Sequence, residues 1–126
     1  MTPEEFSRRI YCAIMDATAF DPANGLLSLT GTLTERGTQK RVVITATNVV
    51  EFSWNGRPKE PEGLFELSTV EIRDKEHGWE VEFEPWYSTS LRFVCGALEL
   101  NGERVEGSGS WYQDSLNGPV ATAQGR

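Results

Sequence analysis

Residues 79–84 read WEVEFE, so apolar side chains at odd positions alternate with glutamates at even positions. Successive side chains of a β-strand point to opposite faces, and this period of two therefore predicts a strand whose apolar face is buried. Glu80, Glu82 and Glu84, called the glutamate row below, would lie about 7 Å apart on the opposite, solvated face. An antiparallel sheet with one wet face is the expected setting.

Alternation of the same kind continues through residues 26–105. Its phase changes at three places, which predicts a bulge or bend near 47–49, near 68–69 and at Gly96. Asn101-Gly102 is the strongest hairpin signal, because a type I′ turn needs positive φ at both central residues. The pattern predicts a bulged antiparallel meander of about six to seven strands, open or curled.

The first residues carry the signals of a helix start. Thr2 supplies a hydroxyl cap, Pro3 stands at the first helical position, and Glu5 can close a capping box. Apolar residues at helical spacing then predict a helix from Pro3 to Ala19. The predicted fold class is α+β, with this helix packed on the sheet in one domain over residues 1–112, followed by a flexible tail over 113–126.

Length and composition favour a single soluble domain. The chain has 126 residues and a net charge of −7, and no apolar run approaches the ~18 residues of a membrane helix. It begins MTPEEFSRR, with acids where a secretory signal would carry bases. Cys12 and Cys95 lie among apolar neighbours, where reduced cysteine acts as a small hydrophobe. We therefore expect a cytoplasmic protein that does not bind membranes.

The negative charge is concentrated in one half of the chain. Residues 51–106 contain thirteen acidic and six basic residues, whereas residues 1–50 are neutral. Such a field repels phosphate backbones and accelerates encounters with basic proteins. The sequence therefore argues against nucleic-acid binding and favours a basic protein partner, although a charge of this size also serves ordinary solubility.

No residue pattern fixes a catalytic, metal or cofactor site. The glutamate row has a spacing that paired-carboxylate chemistry or calcium binding can use, but three acids on a wet face would all stay ionised. His77, the single histidine, lies in a predicted solvent-facing turn. The run Gly107 to Ser110 lacks the flanking residues of a phosphate loop or nucleophile elbow. A non-catalytic role is favoured over an enzyme.

Two aromatic pairs complete the candidate binding residues. Trp86-Tyr87 and Trp111-Tyr112 fall at predicted strand ends, where one ring of each pair is expected to be exposed. Exposed tryptophan and tyrosine are typical of protein hot spots, and they also stack against sugar rings.

These observations predict a small acidic protein-binding module that docks a basic partner. Its surface would centre on the glutamate row, with Trp86 and Tyr87 as apolar anchors. In size and charge it is similar to bacterial inhibitor and toxin-immunity proteins, an analogy that transfers no residues. Two alternatives stay open: a small-ligand or carbohydrate binder that uses Trp86, Trp111 and Tyr112, and a structural homo-oligomer joined through a sheet edge. The sequence identifies neither the partner nor the oligomeric state.

Overall fold

The computed structural model describes residues 1–55, 65–84, 90–114 and 118–121. Most of them form antiparallel β-strands, with one short N-terminal helix, so the fold is broadly α+β as predicted. The helix and strands, in chain order, are α1 (Pro3–Ile10), β1 (Ile14–Asp21), β2 (Leu26–Glu35), β3 (Thr38–Thr47), β4 (Glu51–Asn55), β5 (Phe65–Glu66), β6 (Thr69–Lys75), β7 (Gly78–Glu84), β8 (Ser90–Cys95), β9 (Ala97–Leu100), β10 (Glu103–Arg104), β11 (Trp111–Asp114) and β12 (Gly118–Ala121).

The described strands form two six-stranded sheets, and the prediction of a single meander is wrong. The first sheet has the order β10-β9-β3-β2-β1-β5, and the second has the order β12-β11-β6-β7-β8-β4. Neither sheet closes on itself. Buried apolar side chains from α1 and from both sheets form one core cluster. Because each sheet buries one face, β2, β8 and the second half of β3 alternate between buried and more accessible residues.

The chain changes sheets at each of the three places where the apolar alternation changes phase. It passes from β3 to β4 around Asn48, from β5 to β6 at 67–68, and from β8 to β9 at Gly96. Two of these crossings touch, because the Gly96 N–H donates to the Thr47 carbonyl at 2.9 Å. The positions of the predicted irregularities are correct, but each is a passage between two sheets rather than a bulge within one sheet.

The predicted helix is too long, because α1 ends at Ile10 and residues 14–21 form β1. Cys12 adopts a φ of 69°, which stops the helix, and β1 then pairs with β2. Gly31 of β2 permits this pairing, because a Cβ there would meet the carbonyl oxygen of Ile14. The apolar residues of 13–21 fit either period, and tertiary pairing with β2 decides between them.

Both ends of α1 are fixed by local contacts. The Thr2 hydroxyl accepts from the Glu5 N–H at 3.1 Å, and the Glu5 carboxylate accepts from the Thr2 N–H at 3.3 Å, which confirms the capping box. Phe6, Ser7 and Ile10 are buried against the sheets. Among the described residues, no helix has the length and apolarity needed to cross a membrane.

The Asn101-Gly102 hairpin is confirmed. Both residues have positive φ, and the Val105 N–H donates to the Leu98 carbonyl at 2.9 Å. Near the C-terminus, β12 pairs with β11 inside the segment predicted to be a flexible tail. Residues 118–121 extend the second sheet by one strand, and the flexibility of residues 113–126 stays a prediction.

Candidate functional site

The glutamate row lies on the outer face of the second sheet, opposite a buried row on the same strand. Val81 and Phe83 of β7 are fully buried in the core, as the alternation predicts. The outer row is not a wet surface at Glu80, however, because the Glu80 side chain is only 7% exposed. The sequence therefore identifies the face of the strand correctly but not its surroundings.

Basic side chains of the neighbouring strands surround the glutamate row. Arg73 on β6 contacts Glu80 at 3.4 Å and Glu82 at 3.2 Å. Lys75 contacts Glu80 at 3.1 Å. Arg92 on β8 forms a further ion pair with Glu80. Two carboxylates outside the row share these bases: Glu71 contacts Arg73 at 2.9 Å, and Glu51 contacts Arg92 at 3.5 Å.

The network keeps Glu80 ionised in spite of its burial. Burial by itself raises the pKa of Glu80, but hydrogen bonds from Lys75 and Arg92 and the charge of Arg73 outweigh it, so this pKa lies below its ordinary value. Three bases thus offset most of the charge of four carboxylates. The expectation of an unneutralised acidic row at Glu80 and Glu82 is therefore wrong, and Glu84 is its one exposed member.

The predicted aromatic surface is not assembled by the described residues. Trp111 is 8% exposed and packs under α1, with the Arg8 guanidinium carbon 5.6 Å from its ring centre. Tyr112 is half-buried and lies opposite Glu71 in the sheet. Trp86 and Tyr87 lie outside the described residues. Of the 111–112 pair, Trp111 is the buried ring and Tyr112 is the more accessible one, and a binding role for either ring stays a prediction.

The other singled-out residues have structural surroundings. The His77 side chain is 88% exposed in the β6–β7 turn, 3.7 Å from Glu76. Next to this turn, Asp74 accepts from the Gly109 N–H at 2.8 Å, and the Ser110 hydroxyl accepts from the Asp74 N–H at 3.2 Å. The run from Gly107 to Ser110 is thus tied to the end of β6. In the part of the chain that the structure describes, no group of three or more His, Cys, Asp or Glu side chains could hold a metal ion.

The two cysteines differ from each other. Cys95 is buried, which raises the pKa of its thiol to about 12, as expected for a small core residue. Cys12 is exposed at the end of α1, contrary to the prediction that it lies among apolar neighbours on a helix. Both thiols are free.

One cavity of about 370 Å³ lies at the far end of the first sheet. Leu33, Val42 and Leu100 form its apolar part, and charged side chains from α1, β3 and β10 form its rim. The rim bases Arg9 and Lys40 each pair with a carboxylate of the same rim. No aromatic ring of the described residues lines this cavity, and these residues therefore do not form there the stacking surface of the carbohydrate-binding alternative.

A second candidate surface lies between β1, which the two-residue β5 flanks on its outer side, and β4, which is the edge strand of the second sheet. Large apolar side chains are exposed here. Phe20 and Leu26 belong to strands, and Val50 lies in the connection between β3 and β4. Phe20 is 36% exposed, Leu26 41% and Val50 75%. Together with Phe52 of β4, these residues are called the edge patch below. Exposed apolar residues that cluster, rather than occur singly, mark interaction sites.

A ring contact and a backbone hydrogen bond connect the two sheets at the edge patch. The rings of Phe20 and Phe52 stack with their centres 4.6 Å apart and an angle of 17° between their planes. The Gly25 carbonyl accepts from the Val49 N–H at 2.9 Å, which holds the turn before Leu26 against the crossing from β3 to β4. The patch therefore joins the first sheet to the second.

Among the described residues, the backbone beside the edge patch is paired on one side. β5 pairs only with Ile14 and Met15 of β1. From Ala17 to Asp21, the described residues offer β1 a ladder partner on one side only, which is β2. Every residue from Asp16 to Asp21 is exposed. An edge strand of this kind presents unpaired N–H and C=O groups that can pair with another chain.

Acidic side chains flank this open segment. Asp16 and Asp21 lie at its two ends, and Glu66 lies opposite Ile14. A hydrogen bond from the Asn24 side chain, with others from the backbone of Asn24 and Ala23, lowers the pKa of Asp21 and keeps it ionised. The ion pairs within the described ranges include none of Asp16, Asp21 and Glu66.

Sequence reasoning missed the edge patch for two reasons. The helix predicted from Pro3 to Ala19 ends directly before Phe20, so this prediction does not place Phe20 on a strand. Leu26 and Val50 belong to the alternating residues 26–105, and alternation alone does not distinguish exposed from buried apolar side chains. The available signal is the alternation of apolar and polar residues from Met15 to Ala19, just before Phe20. This alternation is compatible with a strand.

Comparison with known proteins yields a likeness of fold. No protein-family model matches this sequence, and no curated protein matches it significantly. The chain is similar to the crystal structure of an uncharacterized protein from Neisseria gonorrhoeae, with 12% sequence identity and a TM-score of 0.51. The similarity covers 72% of this chain and 91% of the other. At this identity the likeness concerns the fold alone.

Proposed function

We propose that this protein is a non-catalytic binding module that docks a basic protein through the edge patch and the acidic residues around it. The observation that carries the proposal is the stack of the 36% exposed Phe20 on the half-buried Phe52, beside a strand segment that is paired on one side among the described residues. Clustered aromatic and aliphatic side chains supply the centre of a binding surface, and the surrounding charges select the partner.

The charge around the patch supports a basic partner. Asp16, Asp21 and Glu66 lie outside the ion pairs of the described residues, whereas the carboxylates of Glu80 and Glu82 are already paired within the protein. A lysine or arginine of the partner gains a new interaction at Asp16, Asp21 or Glu66. At Glu80 or Glu82 it must first displace a base of this protein. The acidic docking function is therefore proposed for the edge of β1 rather than for the glutamate row.

Site-specific photo-crosslinking in cells tests this assignment. A photoreactive amino acid replaces Val50 in one variant and Glu84 in the matched control, since both side chains are exposed. The captured protein is identified by mass spectrometry, purified, and titrated against the unlabelled chain at several salt concentrations.

We expect crosslinks at position 50 and none at position 84, to a basic protein whose association slows as salt rises. In the purified pair, Val50→Asp should weaken binding at least tenfold. A partner captured equally well from position 84, or an on-rate that ignores ionic strength, would contradict the proposal.

A further inference from the structure

We infer that the partner contributes an extended segment that adds as a new strand to the edge of β1, and that this segment alternates apolar and basic residues. The inference rests on the proposed function and specifies how the partner is held. It is carried by the backbone of Ala17 to Asp21, which is paired on one side only among the described residues, and by the side chains on its two faces.

The two faces of β1 differ in the chemistry that they offer. Thr18 and Phe20 lie opposite the buried Leu29 and Leu27 of β2, so they belong to the inner face, where Phe20 meets Phe52. A strand added beside them would place every second side chain next to this stack, where apolar residues fit.

The outer face is small and acidic. Ala17 and Ala19 alternate with the inner pair, and Asp21 follows them at the end of the strand. Alanines leave room for long side chains on an adjacent strand, and the carboxylates of Asp16 and Asp21 lie at the two ends of the segment. Lysine or arginine at every second position of the added strand therefore meets complementary charge.

The same carboxylates argue against a second copy of this chain as the occupant. In an antiparallel pair of two β1 strands centred between Thr18 and Ala19, Asp16 of one copy would face Asp21 of the other. Like charges directly opposite each other destabilise a strand pair. A basic segment removes this repulsion, so the occupant that the edge favours is a different chain.

Peptides with selectively blocked backbone groups test the inference. The parent probe is an acetylated and amidated peptide of about seven residues, the length of an ordinary strand, with alternating lysine and valine. Two variants carry N-methyl groups, one on all the lysines and one on all the valines. Alternate N–H groups of an added strand point toward β1, so only one of the two sets is needed for the ladder. A block peptide with lysines first and valines last has the same composition.

We expect the parent to bind with a dissociation constant below about 1 mM by calorimetry, where that value corresponds to about −4 kcal/mol. One of the two N-methylated peptides should bind at least tenfold more weakly than the parent, and the other should bind about as well as the parent. The block peptide should also bind at least tenfold more weakly than the parent. Equal binding of both N-methylated sets, or of the block peptide, would overturn strand addition and leave the proposed docking function standing. Failure of the parent itself to bind would contradict both. Light scattering could show that the protein is a dimer and that Phe20→Asp is a monomer. That result would make a second copy of this chain the occupant of the β1 edge and would overturn the inference.

Discussion

The outer face of β7 and the open edge of β1 are both acidic, but they differ in what neutralises their charge. Glu80 and Glu82 of β7 are held by Arg73, Lys75 and Arg92, which belong to the same sheet. Asp16 and Asp21 of β1 lie outside the ion pairs of the described residues and flank exposed apolar side chains. Acidic residues are thus neutralised within their own sheet in one place and lie outside the described ion pairs in another, and it is the second place that we propose as the docking surface.

Removing Glu80 should give the largest loss of stability. In Glu80→Ala, three bases lose their shared partner on a face where the carboxylate is almost fully buried, and a broken buried pair costs about 3–5 kcal/mol. Because the bases themselves are partly exposed, we expect a loss of about 2–4 kcal/mol in the free energy of unfolding by urea. Glu84→Ala is the matched control and should change it by less than about 0.5 kcal/mol. Equal effects of the two substitutions would contradict the network.

The pH dependence of stability should report the same carboxylate. The pKa of folded Glu80 lies below that of the unfolded chain, so its contribution is fully present above about pH 4.3, the unfolded value, and is lost as the pH falls through the folded value. Urea unfolding of the wild-type protein and of Glu80→Gln at pH 3 to 7 measures this. The stability gap between them should shrink toward the acid end, and a gap that stays constant with pH would exclude an ionised Glu80 as its source.

The aromatic stack should contribute less than the ion-pair network. A double-mutant cycle with Phe20→Ala and Phe52→Ala isolates their interaction, and stacked aromatic pairs are worth about 0.5–1.5 kcal/mol beyond their burial. Thermal or chemical unfolding of the four proteins gives the coupling. A coupling near zero would mean that the two rings do not join the two sheets in solution.

The smallest stability effect is expected at Val50. Because its side chain is 75% exposed, Val50→Asp should change the free energy of unfolding by less than about 0.5 kcal/mol while it removes binding at the edge patch. Thr34→Asp, at an exposed position of β2 near the other end of the first sheet, is the control. Binding that survives Val50→Asp but is lost in Thr34→Asp would place the docking surface elsewhere.

Features set by neighbours in the sequence were predictable. The Thr2–Glu5 capping box and the Asn101-Gly102 turn depend on a few adjacent residues, and both are confirmed. The alternation of residues 79–84 fixed which side chains of β7 enter the core. The phase changes at 47–49 and at Gly96 were located correctly, but a passage between two sheets leaves the same mark in a sequence as a bulge in one sheet.

Features set by distant partners were not predictable from one chain. Residues 13–21 have apolar spacings that suit a helix and a strand, and pairing with β2 selects the strand. Glu80 has a basic environment because Arg73 and Arg92 flank it across the sheet, which depends on strand order and register. The exposure of Phe20 likewise follows from the position of β1 near a sheet edge. Alternation identifies a face of a strand, whereas the neighbours on that face come from topology.

Amide hydrogen exchange by NMR, with and without the lysine–valine peptide or the crosslinked partner, tests most directly which of the two acidic regions binds. In the free protein, amides of 17–21 that point away from β2 should exchange much faster than those of β7, which is paired on both sides. On binding, we predict that these β1 amides become protected and that exchange over 79–84 stays unchanged. Protection gained along β7 while β1 continues to exchange rapidly would contradict the account.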